Sequence, residues 1–528
     1  MLFSHRVFVA LLCIVFASAI FRFVMLGGTD FFFDESLTAH SGSILAFQGI
    51  NPWDFYKGEQ PPVFAWLNAI SLHFLGFSEF SVRLASAVLG VFTVVLVFLL
   101  ARLYYGNKVA LFAASIIAVM PLHVIYSRFA YSDIALTFFV LLAIFLSEFS
   151  LRRKSTVIAA LSGVSFILAF FTKYNAVVLW ALYWIFLFFY HRKQFPWFNA
   201  LVANGSAVLA SVVILQFKIR YFFMLGYNVA MWSYLQSLIV ERPFYYYFSV
   251  LFDGLSPLLF GLFFFLLLFW IFRRNKKQTR RDLLVVFLVV AYLIIVFVQG
   301  RKYPRHLLMI LPFVSIFVGM VINLNKKVIS GILLLLVLVS CTFFSVYWIG
   351  RLNNFHMLSS TGSYLEANLP ENATVHVAWN TVWPLKYYMG DEFALYKWGQ
   401  PYERGAIIHP LINDRISAGA LKQGDFVLVP NFNNHVTGNS PLEDNIAFFH
   451  SNYEPLPKGY LEFVTANSGL IATITHANTY AVRIYRITTP LNGTLEQVQE
   501  QKPAGLACWF KNHLNFIPKE FTALLSRC

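Results

Sequence analysis

Long apolar runs along the first two thirds of the chain constrain its fold more than any other feature. A helix needs roughly 17–25 mostly apolar residues to cross a bilayer, and such runs recur up to about residue 350. Of all residues, 58% are hydrophobic and 12% are charged, about half the charged share of soluble domains. We therefore predict a polytopic α-helical membrane protein.

Eleven of these runs are predicted to span the membrane, and the first shows no convincing signal-peptide cleavage site. A shorter stretch at 62–77 follows two prolines, and we interpret it as a helix at the outer membrane face. The eleven spans are 6–26, 81–101, 109–126, 133–150, 156–172, 174–190, 199–217, 250–272, 282–299, 304–323 and 328–349.

The basic residues support this topology. The net charge is +16 over residues 1–350 and −1 over 351–528, so the excess lies between the spans and gives no indication of nucleic-acid binding. With the N-terminus in the cytoplasm, every inner loop is basic, as the positive-inside rule requires. The inner-loop cations are Arg102, Lys108, Arg152, Arg153, Lys154, Arg192, Lys193, the run from Arg273 to Arg281, Lys326 and Lys327.

Residues 351–528 have a different character. Strand-like runs at Thr374–Ala378, Phe426–Pro430 and Tyr480–Ile487 alternate with helical or turn-rich pieces. Eleven spans place this part outside the cytoplasm, so we predict an exoplasmic α/β domain on a plasma or inner membrane protein. Cys508 and Cys528 could form a disulfide there, but spacing alone leaves that open.

Two adjacent carboxylates, Asp34 and Glu35, follow the first span in the long predicted loop 27–61. Carboxylates at a membrane surface are costly to desolvate unless they have partners or a task. One could act as a general base toward an acceptor hydroxyl while the other orients that acceptor. The alternative is a helix start, because acidic residues favour helix N-termini.

A second polar motif runs from Ser127 to Asp133, at the outer ends of the third and fourth spans. Arg128 could bind a phosphate, and Asp133 could supply a further carboxylate. Asp133 could instead cap the helix of the fourth span, with Ser132 beside it.

A third motif contains Tyr56, Glu59 and Gln60 and ends in Pro61-Pro62. The prolines set a turn into the following helix. We expect Glu59 to face the same cavity as Asp34, with Tyr56 and Gln60 close by.

Cations mark the last two outer motifs. Lys173 lies in a polar break between spans five and six, and Arg301, Lys302 and Arg305 precede span ten. Such clusters suit a lipid phosphate, although anchoring to lipid head groups is the plainer interpretation of each one alone. Together, the five motifs offer carboxylates and cations on one membrane side, which suits sugar transfer from a lipid phosphate.

The ordered set of motifs resembles the GT-C superfamily, on the branch of protein O-mannosyltransferases and bacterial aminoarabinose transferases of lipid A. The resemblance covers about residues 5–350. Each motif is weak alone, and their order carries the likeness: Asp34-Glu35, Pro61-Pro62, the segment Ser81 to Gly90, Arg128 with Asp133, Thr172-Lys173, and Arg305 before Pro312.

This resemblance implies an inverting transfer from a polyprenyl-phosphate sugar to a lipid, glycan or protein acceptor on the exoplasmic face. Gln60 stands where the aminoarabinose transferases have Lys, and the His of many mannosyltransferases is absent there, so the donor sugar stays open. The implied roles are catalytic carboxylate for Asp34, accessory acid for Glu35 and Asp133, and donor-phosphate binding for Arg128, Lys173, Arg305, Arg301 and Lys302.

Three alternatives remain at this point. A transporter or flippase of a lipid-linked intermediate would also carry phosphate-binding cations, but it often shows internal repeats, and we find none. A noncatalytic scaffold is disfavoured by the retained acids. In a metal-dependent oligosaccharyltransferase, Asp34 and Asp133 could share a divalent ion. We expect no required cofactor, since no metal-ligand motif is present, and membrane lipids as partners.

Overall fold

The computed structural model describes residues 4–49, 61–190, 196–215, 246–272, 280–298, 303–323, 327–352, 357–368, 374–378, 385, 407–411, 426–431, 468–476 and 480–488. The helices of this part are α1 (His5–Phe23), α2 (Phe33–Gln48), α3 (Pro62–Leu75), α4 (Glu79–Tyr105), α5 (Asn107–Val119), α6 (Pro121–Ser127), α7 (Ser132–Arg153), α8 (Thr156–Phe170), α9 (Ala176–Tyr190), α10 (Trp197–Leu215), α11 (Tyr246–Leu255), α12 (Pro257–Phe272), α13 (Arg280–Val298), a 3₁₀ helix (Pro304–Ile310), α14 (Leu311–Asn323), α15 (Lys327–Leu352) and α16 (Met357–Asn368).

Apolar helices confirm the polytopic membrane architecture. Six helices of the described ranges are long and apolar enough to cross a membrane, and two bent pairs raise that number to eight. The other three predicted spans coincide with α8, α9 and α10, whose apolar stretches are shorter, at Thr156–Phe170, Ala176–Tyr190 and Trp197–Val212. The count of eleven, and the orientation of the termini, therefore stay predictions.

Two predicted spans are not straight helices. The 109–126 run is bent by 59° between α5 and α6, and the 250–272 run by 115° between α11 and α12. Each second helix begins with a proline, Pro121 or Pro257, which cannot donate the backbone hydrogen bond that would continue the preceding helix. At the sharper bend, Ser256 also has a φ of 75°. Apolar composition predicted both runs as single spans because it does not register the break.

The predicted outer loop 27–61 contains a helix, α2, whose first turn holds Asp34 and Glu35. The helix-start interpretation of these acids is therefore confirmed, and it leaves their chemistry open. Helix α2 packs against α3, which packs in turn on α4. On α3, Ile70, Phe74 and Leu75 are more than half exposed. This agrees with the predicted outer-face helix without testing its depth in lipid.

Helices α8 and α10 pack closely against each other. Helix α8 contacts both α7 and α10. Gly163 on α8 lets the α10 backbone approach, because a Cβ there would lie 2.8 Å from the Ala203 carbonyl carbon and closer still to its oxygen. Only a glycine leaves room for that carbonyl.

Strands of the C-terminal region form one mixed five-stranded sheet: β1 (Thr374–Ala378), β2 (Ile407–Leu411), β3 (Phe426–Asn431), β4 (Ser468–His476) and β5 (Tyr480–Ile487). Their order is β2-β1-β3-β5-β4, with β1 parallel to both neighbours and β5 antiparallel to both of its own. Helix α16 packs against β4 and β5. Three of these strands were predicted. The domain limits and the exoplasmic placement stay predictions, and Cys508 and Cys528 lie outside the described residues.

Candidate active site

Asp34 and Arg305 form an ion pair across 271 residues of sequence. Asp34 is the second residue of α2, and Arg305 lies in the 3₁₀ helix that begins at Pro304. Their side chains are 28% and 19% exposed, so the pair is reachable from solvent. The guanidinium carbon of Arg305 lies 5.4 Å from the ring centre of Tyr131 and 4.9 Å from that of Tyr303. The aromatic rings thus hold the cation beside an accessible carboxylate.

A second ion pair joins Asp133 to Lys173, with 2.7 Å between the Asp133 carboxylate oxygen and Lys173 Nζ. Helix α7 begins at Ser132, with Tyr131 as its N-cap residue, and the Asp133 side chain does not cap it. The capping interpretation is therefore wrong, because that carboxylate is directed to Lys173. Partial burial lowers the pKa of Lys173 below its ordinary value, and the Asp133 carboxylate opposes this shift.

The two pairs belong to one cluster, which we name the charge cluster: Asp34, Arg305, Asp133 and Lys173. Lys173 also interacts electrostatically with Arg305 and Asp34. Formally, two negative and two positive groups cancel, which lowers the free-energy cost of gathering them in a partly buried site. Tyr131 lies beside the cluster, and burial together with the Asp34 charge raises the pKa of its phenol. That phenol therefore stays neutral at physiological pH.

The break that carries Lys173 also meets the Pro61-Pro62 element. The N–H of Val63, in the first turn of α3, donates to the carbonyl of Phe171 at 3.1 Å. This bond uses one of the N–H groups that a helix start leaves without an intrahelical partner. The structure thus brings the start of α3 into contact with the break that carries Lys173.

Glu35 is placed differently from Asp34, although the two are adjacent. Its carboxylate and the Arg83 guanidinium are both fully buried, 2.8 Å apart. The N–H groups of Ala130 and Phe32 also donate to Glu35, at 2.8 and 3.3 Å. These contacts use Glu35 to tie α2, α4 and the segment before α7 together, and they leave it without solvent access.

Arg128 donates to four backbone carbonyls around the end of α1. Its guanidinium reaches the oxygens of Phe21, Arg22, Val24 and Met25 at 3.1, 3.4, 2.7 and 3.0 Å. These are carbonyls that a helix end leaves without intrahelical donors. The observed contacts thus direct Arg128 to α1 rather than to the charge cluster.

Two buried arginines were not predicted as site residues. Arg83 was included only as part of the motif at the start of α4, and no role was predicted for Arg22. Arg22 is fully buried and donates to the Ala118 carbonyl at 2.9 Å, with its Nη2 lying 2.7 Å from His123 Nδ1. The Ala118 carbonyl lies near the break before Pro121, where helical donors are missing. An arginine inside an apolar run requires a partner, and that signal could have revealed both residues.

The remaining predicted site residues lie outside the described ranges: Tyr56, Glu59, Gln60, Arg301 and Lys302. Their roles stay predictions. Among the residues that are described, no group of three or more His, Cys, Asp or Glu side chains is arranged to hold a metal ion. The chemistry at hand is an accessible carboxylate that can accept a proton, beside two cations that can bind an anion.

Comparison with known proteins shows what the sequence of this chain is similar to. Residues 59–217 match the family described as dolichyl-phosphate-mannose-protein mannosyltransferase. A protein of Aquifex aeolicus (strain VF5), described as uncharacterized, is 31% identical over 145 residues. That match covers 26% of this chain and 29% of the Aquifex protein, so it spans under a third of the relative's length.

Solved structures match over more of the chain. ArnT from Cupriavidus metallidurans, bound to undecaprenyl phosphate, has a TM-score of 0.63 at 14% identity, covering 92% of this chain and 99% of ArnT. The oligosaccharyltransferase AglB from Archaeoglobus fulgidus, in complex with an inhibitory peptide and a dolichol-phosphate, has a TM-score of 0.52 at 13% identity. That match covers 72% of this chain and 63% of AglB.

At such identities the structural likeness shows the fold, while the family match covers the segment that holds Arg83, Arg128, Asp133 and Lys173. Both agree with the resemblance found in the order of the motifs. The chain thus has the fold of ArnT, and its residues 59–217 match the dolichyl-phosphate-mannose-protein mannosyltransferase family.

Proposed function

We propose that this protein is an inverting glycosyltransferase that moves a sugar from a polyprenyl-phosphate donor to a lipid, glycan or protein acceptor on the exoplasmic side. The observation that carries the proposal is the charge cluster, in which the accessible Asp34 lies beside two cations. The polyprenyl and dolichol phosphates bound in ArnT and AglB support the class of donor.

In the proposed reaction, the acceptor hydroxyl or amine attacks the anomeric carbon as the bond from that carbon to the phosphate oxygen breaks. Asp34 takes the acceptor proton as general base. The departing phosphate carries the negative charge away, and Arg305 and Lys173 stabilise it. The Asp34–Arg305 pair represents the state without donor, and the phosphate would share Arg305 with Asp34 when it binds.

The contacts of Glu35 and Arg128 support positioning roles for both. Glu35 orients the start of α2 through Arg83, and Arg128 holds the end of α1. We therefore assign phosphate binding to Arg305 and Lys173, and retain Arg301 and Lys302 as further candidates. Asp133 holds Lys173 in place, which makes it accessory to the reaction.

Each carboxylate of the cluster already has a cationic partner, which favours a reaction without a required metal. A divalent ion between Asp34 and Asp133 would be repelled by Arg305 and Lys173 at short range. Arg305 and Lys173 would thus supply what a metal would otherwise supply, stabilisation of the charge on the leaving phosphate.

Mass spectrometry of a reconstituted reaction tests the proposal. The purified protein in liposomes receives a pool of polyprenyl-phosphate sugars and membrane acceptors. We expect one sugar-lipid to be consumed and polyprenyl phosphate to be released. Asp34→Asn should abolish both changes, while Asp282→Asn, on α13 beside Tyr105 at the end of α4, should leave them intact.

The other outcomes are equally informative. Normal turnover by Asp34→Asn would refute its assignment as the base. If donors cross the liposome membrane unchanged in the wild type, a flippase would replace the transferase. If neither turnover nor movement occurs with any donor, a noncatalytic scaffold gains support.

A further inference from the structure

Within the segment between α1 and α2, residues 24–32, Arg83 binds the part that leads into α2, while Arg128 binds the carbonyls of Val24 and Met25. Arg83 Nη1 donates to the carbonyls of Leu26 and Thr29 at 3.1 and 3.0 Å, and Nη2 donates to the carbonyl of Asp30 at 2.9 Å. Arg83 is fully buried, so these bonds are shielded from water. The segment is thereby fastened to α4 just before the helix that carries Asp34.

The same segment is held from a second direction by the C-terminal region. The Asp30 carboxylate accepts a hydrogen bond from the N–H of Ser359 at 3.0 Å, across 329 residues of sequence. Helix α16 begins at Met357, so this N–H is among the first four, which lack intrahelical partners. An acidic side chain is favoured at that position by the partial positive charge of the helix start.

The Asp30 side chain that makes this contact is buried. Asp30 is 2% exposed, and a buried carboxylate is retained only where hydrogen bonds or opposite charge compensate its lost hydration. Helix α16 provides such a donor and packs on β4 and β5. One side chain therefore links the five-stranded sheet, through α16, to the segment that ends at Asp34.

We propose that Asp30 is a positioning residue that sets the location of the Asp34 carboxylate according to how the C-terminal region is seated. This inference rests on the proposed transferase function. Asp30 lies four residues before Asp34, and Arg83 donates both to the Asp30 carbonyl and to the Glu35 carboxylate, so one side chain binds on either side of the intervening backbone. A shift of α16, as on acceptor binding to the C-terminal region, would therefore reach Asp34. Displacements of about 1 Å at a reacting group can lower a rate by about 10²-fold.

Three variants in the full-length protein isolate the contact. Asp30→Ala removes the acceptor, and Ser359→Pro removes the donor, since proline has no N–H and is tolerated in the first turn of a helix. Ser359→Ala keeps the N–H and serves as the matched control. We expect Asp30→Ala and Ser359→Pro each to lower kcat by on the order of 10- to 100-fold. The KM for the polyprenyl-phosphate donor should stay within about twofold, and Ser359→Ala should behave as wild type.

A double-mutant cycle separates positioning from general damage. If the two groups act through one bond, Asp30→Ala combined with Ser359→Pro should cost no more than either change alone. Hydrogen exchange should meanwhile show faster exchange in α16 for both single variants and unchanged protection in α4. Wild-type kcat in Asp30→Ala, independent additive losses, or an equal loss in donor affinity would overturn the proposal.

The same experiment distinguishes failure of the broader function. If the wild type transfers no sugar from any donor, the transferase assignment fails, and the catalytic consequence of Asp30 fails with it. Hydrogen exchange in α16 would still decide whether Asp30 joins the two parts. Unchanged α16 exchange in both single variants of an active enzyme would refute the contact itself.

Discussion

Replacing Arg83 with methionine tests how the candidate site is supported. An arginine side chain carries five N–H donors, and the structure gives Arg83 five hydrogen bonds. Two reach the Glu35 carboxylate, at 2.8 and 2.9 Å, and three reach backbone carbonyls between Leu26 and Asp30. Methionine fills a similar volume and donates none of them.

The expected loss of stability follows from the polar groups that lose their partner when Arg83 is replaced. Glu35 would keep the N–H donors of Ala130 and Phe32 but would lose the cation with which it is paired. Removing one partner of a buried ion pair typically costs about 3–5 kcal/mol. The carbonyls of the segment before α2 add to that cost wherever water cannot reach them. We therefore expect Arg83→Met to destabilise the protein by at least about 3 kcal/mol.

Reversible unfolding in detergent micelles measures this difference as a free energy. Arg153→Met is the matched control: Arg153 is an exposed arginine at the end of α7, and its replacement should change stability by about 0.5 kcal/mol or less. Arg83→Lys should lie between the two, because lysine keeps the charge but cannot make the two-point contact with Glu35. A change below about 1 kcal/mol for Arg83→Met would refute the reasoning that buried charge pairing supports α2.

Further predictions concern the site, the helix packing and the topology. Lys173→Met should raise the donor KM and leave Asp133 buried without its cation, whereas Lys173→Arg should retain part of the affinity; equal donor KM in both would contradict this. Gly163→Ala should disrupt the α8–α10 contact and lower stability, while Gly205→Ala, with open space around it, should be neutral or stabilising. Transfer should persist in EDTA, because Asp34 is paired with a guanidinium; loss restored by a divalent ion would revive a metal-dependent mechanism. A reporter fused to the C-terminus should appear outside the cytoplasm, and a cytoplasmic signal would overturn the eleven-span topology.

Local pattern was sufficient for the class of protein and for several of its elements. Apolar runs predicted the helices of the membrane region, because a segment that crosses lipid must be apolar and must satisfy its backbone hydrogen bonds within a helix. Strands β1 and β5 coincide with the predicted limits, and β3 extends the prediction by one residue to Asn431. The breaks before Pro121 and Pro257 were missed, although proline residues mark both.

The sequence motifs also identified the charged residues of the candidate site, but they could not assign a role to each one. Asp34 and Glu35 are neighbours with the same chemistry, yet one is accessible and the other is fully buried. Arg128 and Arg305 were both predicted to bind phosphate, yet Arg128 donates to the end of α1. A local motif specifies the type of side chain, whereas burial depends on which distant elements pack over it.

The sequence by itself thus determined a polytopic membrane protein, the strand-bearing C-terminal region, and a set of acids and cations near helix ends that are predicted to lie on the outer side. Only the tertiary structure decided which acid meets which cation: Asp34 with Arg305, Asp133 with Lys173, Glu35 with Arg83, and Asp30 with the start of α16. Hydrophobicity is a property of each segment and can be read locally. Charge pairing depends on distance in space, and these partners lie between 40 and 329 residues apart in the chain.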